Sequence, residues 1–149
     1  MNWKLIFVGG IVYYAAAWLV AMVSGPLIHE GVLAELYKLH AQFWRPELNQ
    51  VPPDMAALMP RWIATGLIGS FIIAGIYGVV RSSFGGDGWL KGAKYGLVLF
   101  LIGITASLGW SGVFNLPDEL WAWWALDSLF YYLAGGVALG WFADKYAAA

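Results

Sequence analysis

The sequence predicts an all-α, polytopic membrane protein: an antiparallel bundle of four transmembrane helices with an amphipathic surface helix between spans 1 and 2. Three observations predict it. The residues are 61% hydrophobic and only 11% charged, with a mean hydropathy of +0.68, whereas a soluble domain carries about 25% charged residues. Four apolar segments approach or exceed the about 20 residues needed to cross a hydrocarbon core. Most of the ten tryptophans lie near the ends of those segments, at the level where indoles favour the membrane–water boundary.

The first span covers about residues 3–24 and is expected to stop at Gly25-Pro26, a helix-ending pair. Its charge-free run from Leu5 to Ile28 is too long for a signal-peptide core and lacks a small-x-small cleavage site, so it reads as a retained helix. Residues 27–60 form the largest extramembrane loop. Val32, Leu33, Leu36, Tyr37, His40, Phe43 and Trp44 recur there at helical spacing and predict an amphipathic helix on the membrane surface. Pro46, Pro52, Pro53 and Pro60 then break the backbone, leaving room for one turn capped by Asp54.

The second span, 62–80, is bracketed by Arg61 and Arg81, with Trp62 as an interfacial anchor. Gly85-Gly86-Asp87-Gly88 lies in a short hairpin connection; no Gly-Lys-Ser/Thr follows, so it is not a phosphate loop. The third span is 90–110, and Lys91 and Lys94 occupy its first turn. The fourth is 120–142, where Asp118 and Glu119 suit the positive end of the helix dipole. The whole chain, 1–149, reads as a single integral membrane domain.

Lys4, Arg81, Lys91, Lys94 and Lys145 share the side of both termini, against Lys38, Arg45 and Arg61 on the other. The positive-inside rule then predicts cytoplasmic termini, with a bacterial inner membrane as the default location. Gly88-Trp89-Leu90-Lys91-Gly92-Ala93-Lys94-Tyr95-Gly96 opens the third span, and Trp124-Ala125-Leu126-Asp127 and Gly135 to Gly140 mark the fourth. With Phe43-Trp44-Arg45-Pro46, this chain resembles small, functionally uncharacterised four-transmembrane-helix bacterial integral membrane proteins. The resemblance implies topology and no activity.

Residues spaced by four suggest helix packing: Gly66, Ser70, Ala74 and Gly78 in the second span, Gly92 and Gly96 in the third, Gly136 and Gly140 in the fourth. Asp127 is the one formal charge inside the fourth span. Helical spacing puts it on a face with Trp123, Trp124 and Tyr131, and matching depths in the other spans reach Ser70, Thr105 and the turn from Tyr14 to Trp18. No intramembrane Lys or Arg is available to it, so burial disfavours its charged form.

His29 and His40, eleven residues apart on the expected surface helix, stand about 16 Å from each other and cannot share a metal. Either could ligate a pigment or haem held by a partner subunit, although an interfacial polar role is the more economical reading. Trp44 and Arg45 suit a lipid or partner contact. No paired acid–base, nucleophile or metal constellation stands out, and the absence of cysteine removes thiolate and disulfide chemistry. No catalytic residue, metal or cofactor is therefore expected, and a net charge of −1 provides no surface for nucleic acid.

The expected partners are the bilayer and either further copies of the chain or other membrane subunits. Two functions remain: a structural or accessory membrane protein, or a small proton- or cation-coupled transporter or channel using Asp127.

Overall fold

A computed structural model describes residues 2–147. Among these the regular structure is all helical, with five α-helical elements: α1 (Leu5–Val32), α2 (Ala34–Leu39), α3 (Met55–Val80), α4 (Gly88–Ser111) and α5 (Asp118–Tyr146). Short 3-10 turns at Ala41–Phe43, Pro46–Asn49 and Arg81–Ser83 complete the connections. Three helices, α1, α3 extended through Ser83, and α4, are long and apolar enough to cross a membrane.

The first helix corrects the expected stop at residue 24. It continues through Pro26 to Val32 because the chain widens into a π-helical segment over Gly25–Val32, seen in the Leu33 N–H bonded to the Ile28 carbonyl five residues back at 2.8 Å. Proline lacks an N–H, and Pro26 sits in the first turn of this π segment, a position where the missing donor is tolerated and the helix need not end. The helix therefore carries His29 beyond the expected span.

The expected surface helix shortens to Ala34–Leu39: α1 takes Val32 from its start, and His40 leaves the helical backbone at φ −114°, ψ 29°. At the other side of the loop, Asp54 Oδ1 accepts from Ala57 N–H at 3.1 Å, and the helix it caps runs through Pro60 without interruption. The capped turn is thus the start of α3. The residues between α1 and α3 form a folded cap, with Trp44 Nε1 donating to the Tyr37 carbonyl at 2.8 Å and Asn49 Nδ2 to the Ala41 carbonyl at 2.8 Å.

Laterally the helices follow the order α3, α1, α5, α4, each antiparallel to its neighbour. Small residues decide how near they come. On α3, Gly66 faces the Tyr14 ring and Gly78 faces Leu5, while Ser70 and Ala74 are buried. Gly10 of α1 meets the backbone of Ser70 and Phe71. Between α4 and α5 the contact is backbone on backbone: Gly88 and Gly92 face Gly140, Gly92 and Gly96 face Gly136, and Gly96 also meets Tyr132. Such approach gains dispersion contact where lipid supplies no hydrophobic drive.

Two clusters hold the bundle. Leu5, Tyr13, Ala74, Tyr77, Tyr95, Leu139 and Phe142 pack toward the end carrying both termini, where Tyr95 Oη donates to the Ile73 carbonyl at 2.8 Å and ties α4 to α3. At the opposite end Ile28, Leu33 and Leu120 pack with Leu36, Tyr37, Trp44, Trp123 and Trp124, seating the cap on α5. Leu33 and Leu120 are fully buried there. Burying each from water stabilises by about 1.5–3 kcal/mol.

Candidate functional site

Asp127 lies two and a half turns into α5, beside the π-helical end of α1, and is only 4% exposed. His29 Nε2 stands 3.1 Å from Asp127 Oδ2. The other imidazole nitrogen, Nδ1, is 2.7 Å from the Tyr37 hydroxyl, which in turn accepts from Trp124 Nε1 at 2.8 Å. With His29 neutral and protonated at Nε2, every bond points one way: indole to phenol, phenol to imidazole, imidazole to carboxylate. Aligned donors of this kind polarise one another in a low-dielectric setting. With His29 cationic, Nδ1 donates to the Tyr37 oxygen and the same geometry becomes an ion pair with Asp127.

Aromatic rings enclose the network. Trp44 meets Tyr37 edge to face at 5.3 Å and Trp124 at 6.1 Å, and the His29 and Tyr37 rings stack at 6.0 Å. Burial pushes the Tyr37 hydroxyl above its ordinary value of 10.0, the Trp124 N–H opposes that shift, and the Asp127 charge adds to it. The His29 side chain remains 33% exposed, so the imidazole stands between the surface and a buried carboxylate. Asp127 Oδ1 is buried without a hydrogen-bond partner among the described residues. One turn along α5, the Tyr131 hydroxyl lies 3.5 Å from Ser24 Oγ, at the limit of a hydrogen bond.

The other residues singled out from the sequence sit elsewhere. Ser70 is buried between α3 and α1, and Thr105, on the exposed side of α4, donates to its own helix at the Leu101 carbonyl, 2.7 Å. Neither has a hydrogen bond to Asp127. His40 Nδ1 donates to the Leu36 carbonyl at 2.9 Å and has no part in the network. Arg45 pairs with Glu47 at 3.0 Å and holds that carboxyl below the usual carboxylate range. Trp44 is turned inward onto Tyr37 and Trp124.

Sequence reasoning missed His29 as the partner of Asp127, and Tyr37 and Trp124 behind it. The available signal was that His29 directly follows the charge-free run from Leu5 to Ile28, so one continued helix would bring it level with the end of a neighbouring span. His29 and Asp127 are donors of the kind zinc takes, but no group of three His, Cys, Asp or Glu residues comes together among the described residues. Chemically, the arrangement can fasten the cap to the bundle and can exchange a proton between His29 and Asp127. No family model, no curated protein and no solved structure matches this chain.

Proposed function

We infer that the chain is a structural or accessory integral membrane protein, self-associating or a small subunit of a larger membrane assembly, with four spans and cytoplasmic termini. In this reading α5 crosses beside the three apolar helices; its 29 residues and its glycine contacts along α4 support that. The charge distribution supports the orientation, because Lys4, Arg81, Lys91, Lys94 and Lys145 belong to the terminal end. One observation carries the structural role. The intramembrane carboxylate is engaged within the chain by His29, beneath a packed aromatic cap. A buried polar pair of this kind specifies one arrangement of helices, because breaking it strands a polar group away from water.

A second reading, proton- or cation-coupled transport through Asp127, is favoured by the partly exposed His29 in front of the buried carboxylate. One substitution separates the two. Asp127→Asn keeps shape and a hydrogen-bonding side chain, so an accessory protein retains its mass in mild detergent and its co-purifying subunits. A transporter assembles equally well but loses flux driven by a pH gradient in proteoliposomes. Loss of such a flux, shown by the wild type, defeats the structural reading.

A further inference from the structure

At the end of the bundle that carries both termini, a pocket of about 300 Å³ opens among Tyr77, Arg81, Ser82, Lys91 and Asp144, with Gly88 in its wall. This is the lower end of the volume range for small-ligand sites. Two cations and a carboxylate line it, yet none of them pairs with another. The ion pairs among the described residues are His29 with Asp127, Lys38 with Glu35 and Arg45 with Glu47. Arg81 is steadied by Nη1 donating to the Ala147 carbonyl at 3.0 Å. Asp144 sits on α5 against Gly88, where even a methyl group on the glycine would collide with it.

Two neighbouring cations at this end are engaged elsewhere. Lys94 donates to the Gly85 carbonyl at 2.7 Å, and the Lys145 ammonium lies 5.4 Å from the Trp141 ring centre. Trp3, Trp89 and Trp141 are exposed at the same end, and such indoles mark the headgroup level of a bilayer. Opposite charges that line one pocket without pairing complement a zwitterion, which carries both signs.

We propose that this pocket binds the phosphoethanolamine headgroup of a membrane lipid, Arg81, Lys91 and Ser82 taking the phosphate and Asp144 with the Tyr77 hydroxyl taking the primary ammonium. The proposal rests on the membrane-spanning reading above. Guanidinium and ammonium donors give charge-assisted bonds to phosphate oxygens. A carboxylate accepts N–H bonds from a primary ammonium and none from a trimethylammonium, which has no N–H to give. Phosphatidylethanolamine is therefore favoured over phosphatidylcholine. It is also favoured over phosphatidylglycerol, whose headgroup leaves Asp144 without a cation.

The test uses the full chain purified in mild detergent, with native mass spectrometry of adducts formed with each of these three lipids. Phosphatidylethanolamine is expected to bind about tenfold more tightly than the other two, the factor that one charge-assisted bond supplies. Arg81→Gln and Lys91→Gln should each weaken that adduct, and Asp144→Asn should abolish the preference over phosphatidylglycerol while retaining phosphate-dependent binding. Glycerophosphoethanolamine serves as competitor: displacement assigns the same headgroup chemistry to a soluble ester, and resistance assigns it to the lipid. Equal adducts for all three lipids, or variants that bind like the wild type and melt at the same temperature, would overturn the site. Alkaline carbonate extraction of the membranes separates the two inferences. A chain that washes off sinks the spanning reading, whereas a retained chain without lipid preference sinks only this site.

Discussion

His29 Nε2 and Asp127 Oδ2 meet at 3.1 Å across 98 residues of sequence, joining the π-helical end of α1 to α5. Tyr37, bonded to the other imidazole nitrogen, ties the cap to that contact. Asp127→Leu should destabilise the protein by about 1–3 kcal/mol, because His29 Nε2 loses its acceptor in a half-buried site. Asp127→Asn should cost less, since the amide oxygen can still accept. Thermal melting in detergent of these variants, of His29→Ala and of the double variant measures the coupling. Strict additivity of His29→Ala and Asp127→Leu would mean that the contact contributes nothing.

Tyr37 predicts an alkaline opening of the cap. Burial raises its hydroxyl above 10.0 in the folded chain, so the native state holds the phenolic proton more tightly than the unfolded state does. The stability from this group is complete below the unfolded value near pH 10 and is lost as pH rises through the raised folded value. Tryptophan fluorescence from Trp44 and Trp124 should report the release. Tyr37→Phe should remove this part of the pH dependence, at about 1–3 kcal/mol of stability at neutral pH from leaving Trp124 N–H without its acceptor.

Gly136 and Gly109 should respond oppositely to alanine. A methyl group on Gly136 would run into the Gly92 carbonyl, whereas one on Gly109 would meet nothing within 4 Å. Gly136→Ala is expected to force α4 from α5 at about 1–3 kcal/mol. Gly109→Ala should be neutral or stabilise by up to about 1 kcal/mol through helix propensity. Denaturant titration in mixed micelles compares them, and equal midpoints would contradict the glycine contact.

The proposed four-span orientation is open to chemical labelling. A cysteine at Ser83 should react with a membrane-impermeant maleimide only after the inner face is exposed, and one at Gln50 should react in intact cells. The reverse pattern would place the termini outside.

Composition and periodicity by themselves determined that this chain is helical and builds helices long and apolar enough to cross a membrane. Those properties are local: run length, few charges and small residues every fourth position need no knowledge of neighbours. The same local reading put a stop at Gly25-Pro26, because proline's missing N–H is visible in sequence while the wider turn that tolerates it is not. Asp127 stood out as a charge in an apolar segment. Its partner did not, since only the lateral order of the helices decides which distant side chains share a level. Tertiary structure alone therefore decided that His29 meets Asp127, that Tyr37 and Trp124 extend the contact, and that Thr105 remains on an exposed face. The physical reason is that helix packing is set by small-residue contacts along whole faces, and a slip of one turn, about 5.4 Å, would have matched a different pair.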